Sequence, residues 1–260
     1  MLKGAHNFHL NKSVINIQQQ ILCYNHGMLI YRILSTILFI ISLPVYVAVR
    51  KIEGKSFGWK EKFGDFDAPD LGDKVIMFHG VSVGEVIALE NLIKKTKETF
   101  PNYKIVVTTG TKTGQEIAHK KYDNIADFIT YFPFDITFCV EKFLNKINPS
   151  VVLIAETELW PTFAAYCHNK TIPLFVINGR ISDATFKSYR FLKGFFKELF
   201  KNYTEILTQS EEDKNKFIQI GAPESKTQVM KNLKFDVKRI SADIELSLIH
   251  ISEPTRHAQI

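Results

Sequence analysis

Between Lys74 and Phe100 the chain reads "KVIMFHGVSVGEVIALENLIKKTKETF". A short apolar run, Val75 to Phe78, meets a turn containing Gly80 and Gly84, after which apolar residues recur at helical spacing. The stretch is therefore a strand, a turn and an amphipathic helix. The same grammar repeats downstream, where "KIVVTT", "DFITYF", "VVLIA", "IPLFVIN" and "EILTQ" each precede a helical pattern. Six strands separated by helices predict βαβ units and a parallel sheet covered on both faces, an α/β fold of Rossmann-like type. In such a sheet the loops leaving the carboxyl ends of the strands line the ligand crevice. Here those loops are "GVSVGE", "TGTKTG", "PFD", "ETELWP", "NGRIS" and "SEED", and the functional residues are expected among them.

The 260 residues are 45% hydrophobic and 23% charged, an ordinary globular composition. A net charge of +6 favours an anionic partner, whether a phospholipid surface, a phosphorylated substrate or nucleic acid. Cys23, Cys139 and Cys167 are far apart and show no ligand spacing. They support neither a disulfide framework nor a zinc site. Upstream of the first strand, "MLIYRILSTILFIISLPVYVAVRK" begins at Met28, and its run from Ile33 to Val49 carries no charge, although Pro44 interrupts it. That length is near the lower limit for a helix crossing a bilayer. Arg50, Lys51, Lys55, Lys60 and Lys62 follow it, against Arg32 alone near its start, which predicts that the remainder faces the cytoplasm. The expectation is a membrane anchor at residues 28–50, with a buried hairpin or a helix lying in the membrane interface as the alternative. Residues 1–27 lack periodicity and precede a second methionine, so they are expected to be a non-native or disordered leader. Near the other end, "SLIHISEPTR" resembles the translated read-through of a sequencing adapter. Residues 241–260 are accordingly expected to be an artefactual tail, leaving residues 51–240 as the domain.

Gly80-Val81-Ser82-Val83-Gly84 matches the G-x-S-x-G nucleophile elbow of serine hydrolases. Yet Ser82 follows the first strand, with no earlier strand to supply an oxyanion N–H, and His119 and His168 lie on helical patterns away from strand ends. Glu85 is the better candidate, as a carboxylate presented at a helix start where it could accept a proton from a hydroxyl nucleophile. On position alone, an ordinary helix-capping acid is the favoured account of Glu85. Glu156 and Glu158 directly follow a wholly apolar strand, and placing two carboxylates there is costly unless cations or a ligand compensate. A glycosidase pair is disfavoured, because acids two residues apart at a helix start diverge. "TGTKTG", with Lys112, could cradle a phosphate but lacks the Walker spacing, and a polar turn explains it. "KSYRFLKGFFKELFKNY" interleaves Lys187, Arg190, Lys193, Lys197 and Lys201 with Phe191, Phe195, Phe196 and Phe200. Such a helix suits an anionic membrane or a core-facing aromatic stripe.

Taken in order and spacing, "HGVSVGE", "YFPFD", "AETELWP", "NGRIS", "SEED" and "NLKFD" resemble the 3-deoxy-D-manno-octulosonic acid (Kdo) transferases of lipopolysaccharide synthesis, over about Met28 to Asp236. The resemblance implies a GT-B architecture, of which this chain would be the N-terminal, acceptor-binding half. It implies an inverting, metal-independent glycosyltransferase without cofactor, at the cytoplasmic face of the inner membrane. Kdo would move from CMP-Kdo to a lipid A precursor, with an anionic membrane and no nucleic acid as partner. By motif position, Glu85 would be the general base, and Glu156 and Lys234 would stabilise the transition state. Lys231 stands where relatives usually carry glycine, and the family's second half, with most of the CMP-binding residues, has no counterpart here. The chain as written is therefore expected to bind donor poorly. Two other readings stay open: a membrane-tethered Rossmann-like module that holds an anionic lipid without chemistry, and a GT-B transferase acting on another lipid-linked sugar.

Overall fold

In a computed structural model, residues 26–53 and 58–230 are described, with side chains described for 29–44 and 58–230. Helix α1, His26–Glu53, is followed by the single turn α2, Trp59–Lys62. Strand β1, Val75–Gly80, leads through a tight turn into α3, Val83–Ala88, and α4, Glu90–Thr99. Then come β2, Lys104–Thr109, with α5, Lys112–Tyr122; β3, Phe128–Tyr131, with α6, Thr137–Ile147; and β4, Val151–Ala155, with α7, Pro161–Asn169. Strand β5, Leu174–Gly179, is followed by α8, Asp183–Phe191, and α9, Lys193–Leu199. Strand β6, Glu205–Thr208, helix α10, Glu211–Ile220, and β7, Thr227–Val229, complete the order.

The strands form one parallel sheet in the order β3-β2-β1-β4-β5-β6-β7. Side chains alternate across it. Ile76 and Phe78 face the buried residues of α3, α4 and α5, among them Val86, Leu92, Ile93 and Tyr122. Val75 and Met77 face Val140, Phe143, Phe163, Leu199 and Phe217 on the other side. Right-handed crossovers explain this division: the chain winds outward one way from β1 to β3, returns through α6, and winds the other way from β4. Strands walled by helices on both faces read as continuous apolar runs, which is why "VIMFH" and "VVLIA" are recognisable without alternation. Each fully buried large side chain contributes about 1.5–3 kcal/mol. The winding reverses between β1 and β4, and in open α/β sheets such a seam is where ligands bind, at the carboxyl ends of the strands.

Three expectations need correction. The sheet has a seventh strand, β7, absent from the sequence reading. The basic aromatic segment breaks at Leu192 rather than running as one helix: Phe196, Leu199 and Phe200 enter the core, while Phe191 is 90% exposed. The expected spanning anchor is not supported, because among the described residues no helix is long and apolar enough to cross a membrane. Instead, the described part of α1 lies against the domain. Tyr31 packs on Phe195 at 5.6 Å between ring centroids, and Phe39 on Phe134 at 4.9 Å. Leu29, Ile30, Ile33, Leu34, Ile37, Leu38, Ile40 and Ile41 remain exposed.

Candidate active site

Ser82 is the N-cap of α3 in extended conformation, and its hydroxyl accepts from the Glu85 amide. The Glu85 carboxylate reaches back: Oε2 accepts from the Val81 amide at 2.7 Å, and Oε1 from the Ser82 hydroxyl at 2.6 Å and the Ser82 amide at 3.3 Å. This is a capping box, in which two groups satisfy each other's unpaired helix-end donors. The Ser82 hydroxyl proton is thus committed to Glu85. The nearest histidine in sequence, His79, points into the fold, with Nδ1 against Thr108 and its ring stacked 4.0 Å from Phe132. Its burial depresses its pKa to about 3, so it stays neutral. Neither feature suits a hydrolase nucleophile.

Helix α5 buttresses this turn through residues of "TGTKTG". The Thr111 hydroxyl caps the Gly114 amide at 3.0 Å and donates to the Val81 carbonyl at 3.1 Å. A Cβ on Gly114 would lie 2.9 Å from that carbonyl oxygen, and one on Gly110 would lie 2.7 Å from the Val81 side chain. The glycines are therefore there for close approach. Lys112 pairs with Glu116 at 3.7 Å.

Across the seam, Glu156 leaves β4 with φ of 59°, a left-handed conformation that non-glycine residues rarely adopt, while its amide donates to the Ile177 carbonyl at 2.9 Å. The Thr157 hydroxyl donates to the Arg180 carbonyl, tying this loop to "NGRIS". Burial, then the charge of Glu85, raise the pKa of Glu156, and Arg180 opposes them. For Glu158, burial followed by the charges of Glu85 and Glu156 raise it to about 7. Three carboxyls, one from the β1 loop and two from the β4 loop, thus share one field at the point where the winding reverses. Asn178, also left-handed with φ of 57°, sits where the β5–β6 register shifts, and its carbonyl accepts from Gln209 Nε2 at 3.3 Å. In "SEED", Ser210 caps α10, and Asp213 accepts from the Ile181 amide at 3.0 Å, fixing the loop that carries Arg180.

Glu85, Glu156 and Glu158 therefore lie within electrostatic range of one another, whereas Lys234 lies outside the described residues. Two contributors escaped the sequence reading. Lys62, counted there only as a positive charge, turns inward: its Nζ donates to the Gly110 carbonyl at 2.9 Å and lies 5.2 Å from the Tyr131 ring centroid. Asp135, inside "YFPFD", accepts from the Thr162 and Phe163 amides at 3.0 and 2.8 Å, capping α7 from outside the helix. The motif offered a signal for Asp135, but not for its partner.

The family model for 3-deoxy-D-manno-octulosonic-acid transferase (kdotransferase) matches residues 57–237. The chain belongs to this family. A Kdo transferase from Rickettsia bellii is 31% identical over 90% of the chain and 55% of its own length. One from Chlamydia muridarum is 32% identical over 68% of the chain and 41% of its own length. A bifunctional glycosyltransferase/methyltransferase from Fusobacterium nucleatum is 35% identical over 76% of the chain and 31% of its own length. The chain thus spans about half, or less, of the length of these Kdo transferase relatives. Among solved structures, a UDP-GlcNAc 2-epimerase from Neisseria meningitidis bound to UDP-GlcNAc aligns with a TM-score of 0.44 at 15% identity, covering 70% of this chain and 52% of that one.

Proposed function

We propose that this chain is the acceptor-side half of a GT-B Kdo transferase, which moves Kdo from CMP-Kdo to a lipid A precursor with inversion and without a metal. The observation that carries the reading is the convergence of Glu85 and the strained Glu156 at the seam of the sheet, in a chain matched by the Kdo transferase family model. In the proposed reaction, a Glu85 carboxylate oxygen takes the proton of the acceptor sugar hydroxyl. The oxygen so freed forms a bond to the anomeric carbon of Kdo, and the bond from that carbon to the CMP phosphate oxygen breaks with its electron pair leaving on CMP. Positive charge develops at the anomeric carbon, where the Glu156 carboxylate would stabilise it, and Lys234 would offset charge on the departing phosphate. The capping contacts suit the base role: they fix the carboxylate's position and leave roughly one of its four lone-pair sites open. The main donor site is proposed for the part of the relatives that this chain does not match.

The exposed apolar face of α1 supports a helix lying in the membrane interface at the cytoplasmic side of the inner membrane. The experiment is Kdo transfer by the full-length enzyme carrying Glu85→Gln or Ser82→Ala. Loss of base catalysis is expected to cost about 10²–10⁴-fold in the first. The second removes the α3 N-cap and one of the three bonds that orient the Glu85 carboxylate, while leaving that carboxylate in place, and is expected to lose far less. Near-normal transfer by Glu85→Gln would remove the base assignment, and a large loss in Ser82→Ala alongside near-normal Glu85→Gln would restore the serine as the reacting group.

A further inference from the structure

The first turn of α7 starts at Pro161, directly after the loop that carries Glu156 and Glu158, and its own N-cap residue, Trp160, provides no capping side chain. The missing acceptor comes from Asp135, whose Oδ1 takes the Phe163 amide and whose Oδ2 takes the Thr162 amide. Asp135 Oδ2 also accepts a third bond, from the Tyr31 hydroxyl of α1 at 3.0 Å, across more than a hundred residues of chain. One residue further along, Arg32 donates through Nε and Nη2 to Thr137 Oγ1 at 3.1 and 2.6 Å, at the start of α6. The Asp135 carboxyl is desolvated by burial, and Tyr203 is a further titratable group within its field. A desolvated carboxyl group needs its donors, because an acceptor left without them carries the cost of its lost hydration.

From this arrangement we infer that Tyr31 is a positioning residue for the crevice: seated α1 holds Asp135, Asp135 holds the first turn of α7, and that turn fixes the end of the Glu156–Trp160 loop. Helix α1 is then a working part of the site as well as an attachment. The structural part of the inference stands alone. Its consequence for turnover rests on the transferase reading.

The experiment is hydrogen exchange, followed by mass spectrometry, on the 260-residue chain in detergent, comparing wild type, Tyr31→Phe, Asp135→Asn, the double variant, and Leu38→Ser on the exposed face of α1. Tyr31→Phe keeps the ring against Phe195 and removes only the hydroxyl. Exchange in peptides covering residues 156–163 is expected to rise about tenfold or more, with residues 205–208 of β6 unchanged and Leu38→Ser silent. In the double variant, Tyr31→Phe is expected to add little to Asp135→Asn, since the two residues share one bond. Unchanged exchange at 156–163, or an equal rise throughout the sheet, would overturn the inference. In the full-length enzyme, Tyr31→Phe is expected to lower kcat about fivefold or more, with acceptor KM nearly unchanged, as misplacement of a positioned group does. Faster exchange with unchanged kcat would overturn the link to the crevice. Absence of Kdo transfer by the wild-type enzyme would overturn the transferase reading and leave the exchange result intact.

Discussion

Replacing Glu156 by glycine and by alanine separates the strain at this position from its charge. Both substitutions remove the carboxyl that shares a field with Glu85 and Glu158. Alanine keeps a Cβ at φ of 59°, whereas glycine does not. A left-handed L residue costs about 1–2 kcal/mol, and relief of that cost favours glycine. Glycine's greater freedom in the unfolded chain opposes it by about 0.4–1 kcal/mol. The difference leaves Glu156→Gly more stable than Glu156→Ala by roughly 0.5–1 kcal/mol, or on the order of 2 °C in Tm for a domain of this size. Urea unfolding followed by the fluorescence of Trp59 and Trp160 measures it as a shift in midpoint at constant slope. Equal stability, or alanine above glycine, would show that the surroundings do not hold the backbone left-handed. Transfer by the full-length enzyme is expected to be lost in both variants, because relieving the backbone does not replace the carboxylate.

Two further outcomes follow from the same crevice. The Glu158 pKa rises in the fold from 4.5 to about 7, so the folded chain binds more protons than the unfolded one between those values, and this carboxyl makes stability fall as pH rises through that window. Glu158→Gln is therefore expected to raise Tm at about pH 8 and to have little effect near pH 4, and a gain independent of pH in thermal melts would refute the cause given. Gly114→Ala drives a Cβ to within 2.9 Å of the Val81 backbone carbonyl, which cannot rotate away as a side chain could. It is expected to cost about 1–3 kcal/mol in denaturant unfolding and to lower transfer through the Glu85 turn, and a neutral result would mean that α5 does not press on that turn.

The parts of this molecule that were legible in sequence are those built from contiguous residues. Six strands could be read because each is a short, mostly apolar run before a helix, and their order of loops led to Glu85, Glu156 and Glu158. Strand β7 escaped because it is three residues long, with Gln228 and Val229 only partly buried, too little for any period to register. The break at Leu192 escaped because no proline marks it and Gly194 lies inside the next helix. The position of Glu85 favoured a capping acid and only the motif resemblance pointed to a base, and the structure shows that capping is one real part of its surroundings. Lys62 reads as one more surface cation until the Gly110 carbonyl and the Tyr131 ring are folded around it. Tyr31 and Asp135 are far apart in the chain and follow no pattern in common, so only folding brings them together.

The two stripes of α1 bear on how the protein can be prepared. One stripe, through Tyr31 and Phe39, covers an aromatic floor that includes Phe63 and Phe134, with Phe138 stacked beside Phe63 and already 53% exposed. The other is the row of leucines and isoleucines turned outward. A shortened chain that begins after α1 would shed the outer row but bare the floor beneath it, trading one sticky surface for another. Trimming the N-terminus is then no route to a detergent-free sample, and polar substitutions on the outer row alone, leaving Tyr31 and Phe39 in place, are the better starting point for purification.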